Sequence, residues 1–539
     1  MAGKGRLAAA LGTAVPLLTI STGLFAAQAP DHATFTGSAQ CIACHSNLVD
    51  ADGENVSIGH GWRSTMMAHS ARDPYWQASV RREMLDHPAL HRDIEDTCST
   101  CHMPMARALA AARGEPGRVF AHLDGEFGQE SVLALDGVSC TVCHRMDSAN
   151  FGEESSFDGG FLIAAGMSAG TAPPVYGPFD VDDGRRRVMS SASGFTPETG
   201  VHIQQSELCA TCHTLFTRPA GAAPGERFPE QVSYLEWRHS GYAGERSCQD
   251  CHMPEAAAAP ISSVLGEPRD GLSRHAFRGG NAFMLRLLDR YRDDLGITAP
   301  AAELQGSATV TEAHLRNDTA RLQMTLAADG NGDLVVDVEV HNLAGHKLPT
   351  AYPSRRAWLH LAVRDADGRV LFESGALRAN GAIAGNDNDA DPLSYEPHYT
   401  EISRPGQVQI YEPVLADRSG SVTTGLLNAV RYLKDNRLLP SGFDKASAGA
   451  AIRVRGAAGV DPDFTAGSDR VRYRITLDDG AGEVRVAARL LFQSIGFRWA
   501  ENLSRYDSVE TNRFVGYYRA NSNVSAMELA ATGITRHLH

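Results

Sequence analysis

All ten cysteines of this 539-residue chain belong to one repeated pattern, and no cysteine is left over. They form Cys-x-x-Cys pairs, and a histidine follows every pair immediately. The five motifs comprise Cys41, Cys44 and His45; Cys98, Cys101 and His102; Cys140, Cys143 and His144; Cys209, Cys212 and His213; and Cys248, Cys251 and His252. A chain built in this way is expected to fold around the same bound group five times.

The spacing within each motif is that of covalent haem c attachment. Two cysteine sulfurs add to the two vinyl groups of one haem, and the next residue offers an imidazole to the iron. A disulfide framework needs no histidine after each pair, and zinc clips join one Cys-x-x-Cys to a second ligand pair. A redox dithiol would occur once, near a βαβ pattern. The motifs therefore predict five haem c groups, with the motif histidines as proximal iron ligands.

Residues 1–29 have the features of a secretory signal peptide. Lys4 and Arg6 precede an apolar run from Leu7, and Ala27-Gln28-Ala29 is a small-residue cleavage site. Haem c is attached outside the cytoplasmic membrane, so the motifs themselves require export. Polar residues, glycine and proline interrupt the apolar run and make it a poor membrane span. We expect a mature chain without a transmembrane span, in the periplasm or outside the cell.

The formal net charge is −14 at pH 7, and haem propionates would make it more negative. This charge argues against binding to nucleic acid or to an anionic membrane surface. It suits docking to a basic redox partner, and simple solubility explains it equally well.

The chain divides into a part with cysteines and a part without them. Every motif lies before residue 253, and the following 287 residues contain no cysteine. We predict a pentahaem domain at 30–300 and a second domain at 301–539. Irregular intervals between the motifs indicate a loop-rich first domain with short helices, and apolar residues at helical spacing predict one amphipathic helix within 279–296.

From about residue 305 the pattern is that of strands. Three valines of the segment 333–342 alternate with acidic residues. Residues 357–375 predict two strands joined by a turn at 365–368, and residues 470–492 repeat that design. The predicted fold class is α+β, a loop-rich helical multihaem domain followed by an all-β sandwich-like domain.

Each iron can take a second axial ligand, and sixteen further histidines are available. Local context selects these distal candidates: His60, His69, His202, His239, His275 and His346. Trp62, Met66 and His69 share a face of one predicted helix, and Met66 or Met67 are thioether alternatives. Gly279 and Gly280, close after His275, would allow the backbone to approach a flat cofactor.

His346 lies in the cysteine-free domain, in a turn between predicted strands. From there it would reach the haem domain and close one haem off from solvent. The alternative is that this turn supplies Lys347, Arg355 and Arg356 to neutralise haem propionates.

Two further features add a resemblance. "CHMP" occurs at 101–104 and again at 251–254, and "GHKLPTAYPSRRAWL" occupies 345–359 before a β-rich tail. With the five motifs, these segments resemble the multihaem c-type cytochromes of bacterial respiratory chains. The resemblance implies electron transfer through closely stacked, mostly bis-histidine haems. Pentahaem cytochrome c nitrite reductases carry one motif that ends in lysine, whereas all five motifs here end in histidine, which argues against that activity.

The leading functional hypothesis is an electron-transfer protein, which passes electrons between a quinol-linked donor and a terminal acceptor or another cytochrome. A second hypothesis is an oxidoreductase in which one open haem binds a small nitrogen or sulfur compound, with Arg355 and Arg356 as an anion clamp. A third is a subunit of an extracellular filament, or another homo-oligomer. The sequence favours an electron carrier over an enzyme and assigns no catalytic residue.

Overall fold

The computed structural model describes residues 1–3, 34–165, 172–328, 333–477 and 482–537. Most of the predicted signal peptide, residues 1–29, lies outside the described residues.

The first half of the chain consists of short helices joined by loops. They are α1 (Ser38–Ile42), α2 (Ile58–Arg63), α3 (Pro74–Asp86), α4 (His91–His102), α5 (Pro104–Ala112), α6 (Phe120–Leu123), α7 (Gln129–Leu135), α8 (Cys140–Cys143), α9 (Asp183–Ser193), α10 (Ser206–His213), α11 (Ser233–Arg238) and α12 (Cys248–His252). Asp73 caps α3 by accepting hydrogen bonds from two backbone N–H groups, and Pro74 occupies its first position. The expected loop-rich helical part is therefore present.

Small two-stranded sheets connect these helices. Their strands are β1 (Met146–Asp147), β2 (Leu162–Ile163), β3 (Pro174–Gly177), β4 (Thr196–Thr199), β5 (Thr214–Thr217) and β6 (Phe228–Val232). β1 pairs with β2 and β5 with β6 in antiparallel fashion, whereas β3 and β4 are parallel. Such small sheets bury little apolar surface by themselves.

Two longer helices follow the last motif. The helix predicted within 279–296 is α13 (Ala282–Arg290), whose Met284, Leu287 and Leu288 are buried. The expectation of strands from about residue 305 is wrong for its first part, because α14 (Ala301–Asp318) occupies it. Its buried residues recur three and four positions apart, which is the spacing of one helix face: Leu304, Ala308, Thr311 and Leu315.

The strands of the second half are β7 (Ala320–Ala328), β8 (Leu334–Asn342), β9 (Arg356–Asp365), β10 (Val370–Ser374), β11 (Glu401–Ile402), β12 (Ile410–Tyr411), β13 (Pro413–Ala416), β14 (Val422–Thr423), β15 (Arg431–Asp435), β16 (Ser468–Ile475), β17 (Glu483–Gln493) and β18 (Ala526–His537). One sheet has the order β10-β9-β17-β18, with β12 also on β9, and a second has the order β11-β16-β8-β7. β13 pairs with β14 and β15 in a smaller third sheet.

One apolar core joins the two large sheets. It includes Val336, Val338 and Val340 of β8 and Leu359 and Leu361 of β9, all without exposed surface. Alternation along β8 follows from this, because one face of the strand meets the core and the other meets solvent. The predicted sandwich is therefore present, and the α+β fold class is confirmed.

The two predicted strand pairs have different outcomes. Residues 357–375 form the expected antiparallel pair of β9 and β10. Residues 470–492 also form two strands, but these belong to opposite sheets: β16 pairs with β8, and β17 pairs with β9 and β18. The alternating pattern predicted the two strands correctly. It did not predict which strands they pair with, because pairing depends on segments far away in the chain.

Helices from the C-terminal half return to the motif-bearing half. These are α16 (Phe497–Leu503) and α17 (Val509–Asn521), and a short helix α15 (Asp387–Ala390) precedes them. Phe514 of α17 packs on Tyr75 of α3 with ring centres 5.0 Å apart, and Arg81 forms an ion pair with Glu510. The predicted division near residue 300 is thus crossed by a shared core.

Across the described residues, no helix is both long enough and apolar enough to cross a membrane.

Truncating a core residue of the sandwich tests this packing. Leu361→Ala removes a fully buried side chain between the sheets, so the free energy of unfolding should fall by about 2–5 kcal/mol. Leu393→Ala is the matched control, because Leu393 is 65% exposed and its loss should change stability by less than about 0.5 kcal/mol. Urea unfolding of the purified protein, followed by circular dichroism, measures both. Equal effects would contradict the assignment of this core.

Candidate functional site

The five motifs lie on or at the ends of short helices. Motif two ends α4, motifs four and five end α10 and α12, motif three spans α8, and motif one ends just after α1. In motif one the His45 N–H donates to the Cys41 carbonyl over 3.0 Å, as in one helical turn. Residues three apart on a helical turn lie on the same face of the helix, so both cysteines of a motif can bind the same group.

None of the ten cysteines forms a disulfide bond, and each is half-buried. In three places, thiols of different motifs lie close enough to shift each other's pKa: Cys41 with Cys140, Cys101 with Cys212, and Cys209 with Cys248. The Cys212 thiol also lies close enough to Cys143 to raise the pKa of the Cys143 thiol, after the larger effect of burial. Motif four is therefore next to motifs two, three and five, and motif one is next to motif three.

Four motif imidazoles are held in the same way. The Nδ1 atom lies within hydrogen-bond distance of a backbone carbonyl oxygen: His45 with Ile261 (2.6 Å), His102 with Ser70 (3.0 Å), His144 with Tyr176 (2.7 Å) and His252 with Arg278 (2.5 Å). Because a carbonyl only accepts, Nδ1 must carry the proton, and Nε2 keeps its lone pair. This second contact is the usual way in which a ligating histidine is oriented.

Two distal candidates lie opposite motif imidazoles. His275 lies parallel to His144, with ring centres 6.1 Å apart and an angle of 10° between the planes. His346 lies parallel to His252, with ring centres 6.2 Å apart and an angle of 13°. Two imidazole nitrogens bound to one metal at about 2.0 Å each would place the ring centres roughly 6 to 6.5 Å apart. Both pairs have this separation.

The sequence did not single out a third imidazole at this position. His314 of α14 also lies near His252, with ring centres 6.3 Å apart and planes at 67°. Its Nδ1 donates to the Asp318 carboxylate, four residues along the same helix, over 3.0 Å. On a helix, a carboxylate four residues after a histidine can orient the imidazole, and this spacing could have indicated His314 as a ligand. It was missed because the segment was assigned to strands.

The other distal candidates have other surroundings. His69 is 4% exposed, and neither of its ring nitrogens makes a hydrogen bond among the described residues. His60 lies on α2 beside Gly61, where a Cβ atom would come within 3.3 Å of the His275 backbone. The Nε2 atoms of His202 and His239 face the carbonyl oxygens of Met146 and Asp444. The structure brings none of these four into a stacked pair with a motif imidazole, so their role stays a prediction.

The four paired imidazoles and that of His102 are neutral near pH 7. Desolvation by the surrounding protein lowers the pKa of His102 and His252 to about 4 and that of His275 to about 3. Desolvation also lowers the pKa of His144 and His346. Neutral imidazole is the form that binds a metal, so these side chains are ready ligands without loss of a proton.

His346 is held by a buried ion network that joins the two halves. Lys347 donates to Asp435 over 2.7 Å, and Arg437 contacts both Asp435 and Glu236 of α11 at 2.8 Å. Glu236 also accepts hydrogen bonds from the Lys347 N–H and the Thr350 hydroxyl. The two positive and two negative charges of this network cancel, and their mutual attraction offsets the desolvation cost of burying all four groups. The segment 346–350 is thereby fixed against the helical half.

These ion pairs argue against two alternatives for the charged residues. One alternative assigned Lys347 to haem propionates, but Lys347 is buried and paired with Asp435. The second hypothesis used Arg356 with Arg355 as an anion clamp, but the Arg356 guanidinium forms a bidentate ion pair with Asp389 and donates to Gln493. A Cβ atom at Gly280 would lie 3.2 Å from Phe492 and 3.5 Å from Arg355, whereas nothing lies within 4 Å of a Cβ atom at Gly279, so the approach of this backbone to a flat cofactor stays a prediction.

A separate buried group of metal-ligand residue types lies in the sandwich half: His398, Asp461 and Asp469. The Nδ1 of His398 accepts from the amides of Gln409 and Asn436 at 2.8 and 3.1 Å. The proton is therefore on Nε2, which donates to Asp461 over 2.8 Å. A neutral imidazole in this tautomer has no lone pair for a metal between the carboxylates, so the group is a structural hydrogen-bond network.

Comparison with known proteins gives one informative match. No protein-family model matches the chain, and no curated protein sequence resembles it significantly. A solved structure, a penta-heme cytochrome c552 from Thermochromatium tepidum, superimposes with a TM-score of 0.53 at 16% identity, over 94% of this chain and 100% of that one. The chain has a multihaem cytochrome-like fold. This match covers the helical and the β-rich halves together.

Breaking the ion network tests its role in this cytochrome-like fold. Asp435→Asn leaves two buried cations with one carboxylate, so the free energy of unfolding should fall by about 3–5 kcal/mol. Asp463→Asn removes an ion pair to Arg470 whose side chains are 41% and 49% exposed, and it should cost less than about 1 kcal/mol. Denaturant unfolding at pH 7 compares the two variants. A small effect of Asp435→Asn would contradict the assigned role.

The same network predicts a direction with pH. Arg437 and Lys347 outweigh the desolvation of Asp435 and hold its pKa well below the ordinary value of 3.8. A carboxyl with a depressed pKa stabilises the fold above its unfolded pKa, and this stabilisation is lost as the pH falls. Stability should therefore fall from about pH 5 downwards by less in Asp435→Asn than in the native chain, as measured by thermal melts across pH 3–7.

Proposed function

We propose that this protein carries five covalently bound c-type haems and transfers electrons in the periplasm or outside the cell. The observation that carries the proposal is the facing of motif and distal imidazoles, His144 with His275 and His252 with His346, at the separation of two ligands on one metal. A zinc, disulfide or dithiol role would not require such pairs.

The residues fit haem c. Each pair of free cysteines on one helical turn would form the two thioether bonds, and the motif histidine, oriented through Nδ1, would offer Nε2 to the iron. His69, buried without a hydrogen bond, offers a further imidazole. When bound, each haem supplies an iron that gains or loses one electron at a potential set by its axial ligands and burial.

The neighbouring thiols support a continuous path. Motif four is adjacent to motifs two, three and five, and motif one to motif three. Haems attached at these positions would be close neighbours, and electron transfer between them is fast because its rate falls steeply with distance. We infer that electrons enter or leave through a basic partner protein, since the chain has a net charge of −14.

One observation favours the alternative of an oxidoreductase with an open haem. Among the described residues no imidazole is paired with His45, His102 or His213, and the ring of His102 lies against Trp76. Of these three, His213 has the Arg355 guanidinium nearby, which lowers the pKa of this imidazole after the larger effect of desolvation. An iron held there by His213 alone would bind a small nitrogen or sulfur compound.

Carbon monoxide binding by the fully reduced protein distinguishes the two functions. Six-coordinate irons do not bind the gas, so the Soret band of the native protein should not change. His275→Ala and His346→Ala should each open one iron and produce a change equal to about one haem in five. His360→Ala is the control, because His360 lies on β9 and contacts Glu373. A change of one haem in five already in the native protein would favour the oxidoreductase.

His314 requires its own variant in this experiment. If His346 is the ligand of motif five, His314→Ala should bind no carbon monoxide, and the double variant should bind at least as much as His346→Ala. An open iron in His314→Ala but not in His346→Ala would transfer the ligand role to His314. No response in His275→Ala and in the double variant would contradict bis-histidine ligation at both positions.

Haem content tests attachment directly. Cys248→Ser with Cys251→Ser removes both thioether positions of motif five, so the pyridine haemochrome assay should give four haems per chain instead of five. Met253→Leu is the control, because it changes the next residue of the same segment and should leave five. An unchanged count in the cysteine variant would contradict covalent attachment at this motif.

A further inference from the structure

Arg355 is a half-buried cation that has no carboxylate partner among the described residues. It lies directly before β9, and its two Nη atoms donate over 3.1 Å to the Thr350 carbonyl and to the Asn281 side-chain oxygen. Both acceptors are uncharged. Desolvation alone accounts for the fall of its pKa to about 10, so the guanidinium is still protonated at pH 7.

Three buried cations of the described residues are paired with carboxylates. Arg356 pairs with Asp389, Arg437 with Asp435, and Lys434 with Glu412. Compensation is expected, because a buried charge without a counter-charge is strongly disfavoured.

Two further arginines near the motifs, Arg72 and Arg145, donate to backbone carbonyl groups. Each also has a neighbouring group that stabilises its positive charge. The pKa of Arg72 is raised by nearby Asp136, against the larger effect of desolvation. The Arg145 guanidinium lies over the Phe195 ring at 5.5 Å, an arrangement that stabilises a cation. Neither compensation is present for Arg355 among the described residues.

The hydrogen-bond acceptors of Arg355 are neutral, and the nearby carboxylate of Glu236 acts on His346 in the direction opposite to Arg355. The charge of Arg355 acts on the imidazoles of His213 and His346, which belong to motif four and to the proposed ligand pair of motif five. The absence of a side chain at Gly280 lets Nη1 approach the segment that follows His275. A guanidinium has five N–H groups, and two are used, so three remain for a further acceptor.

We propose that Arg355 binds an anion of the carboxylate or oxyanion class between motifs four and five. Thr350 and Asn281 fix the orientation of the Arg355 guanidinium. The planar guanidinium suits such an anion, because it donates two parallel hydrogen bonds. The anion has two sources: a propionate of a haem on one of these motifs, which rests on the proposed function, or a small diffusible oxyanion.

Redox titration of the dialysed holoprotein, followed in the α-band, tests the proposal. Loss of the Arg355 charge would leave an unpaired propionate beside an iron and favour its oxidised form. Arg355→Gln should therefore shift one couple to lower potential by about tenfold in the redox equilibrium, ~59 mV for one electron. Arg364→Gln, an exposed arginine of β9, is the matched control and should leave all couples unchanged.

Added nitrite or sulfite separates the two sources. For a propionate, neither salt should move the couples of the native protein. For a diffusible oxyanion, one native couple should move with saturation, and Arg355→Gln should lose that response. Unchanged couples in Arg355→Gln together with a native protein that responds to neither salt would overturn the proposal.

Arg355→Lys serves if the glutamine variant does not accumulate. Lysine keeps the charge and loses the bidentate geometry, so a smaller shift of the same couple is expected. If the couple does not shift in Arg355→Lys and the native protein responds to neither nitrite nor sulfite, the proposal is overturned as well. The haem count of the native protein is measured first, so a failure of the proposed function appears there, independently of Arg355.

Discussion

The hydrogen bond from Nδ1 of a motif histidine to a backbone carbonyl fixes much of what this protein can do. The carbonyl oxygen forces the proton onto Nδ1 and leaves the Nε2 lone pair directed away from the supporting backbone. Each such carbonyl belongs to a segment outside the motif itself, Ile261 for His45 and Arg278 for His252. The loops that join the short helices therefore act as supports for the imidazoles, and their irregular course follows from that task.

The second constraint is the attachment of the sandwich to the helical half. Lys347, Asp435, Arg437 and Glu236 form a buried, charge-balanced network, and the adjoining His346 is thereby held opposite His252. The helical half alone would not supply this imidazole. The β-rich half is thus part of the candidate site. The shared core around Tyr75 and Phe514 packs the two halves against each other.

Sequence patterns were most reliable where a short local rule applies. The β9–β10 pair and the buried face of β8 follow from turn residues and alternation. The assignment failed where a pattern has two meanings. Residues 305–318 were assigned to strands but form a helix, and His314 was missed with them. Two alternating segments around residue 480 became strands of opposite sheets, because alternation specifies a buried face and not a partner.

The sequence by itself determined the identity of the bound group that we propose, since thioether attachment needs two cysteines and a histidine at fixed local spacing. It also narrowed the distal ligands to a few histidines, among them His275 and His346. Only the tertiary structure decided which of these face a motif imidazole and which neighbouring arginine is uncompensated. Both depend on contacts between segments far apart in the chain: Arg356 has Asp389 as its partner, whereas Arg355 meets only neutral oxygens.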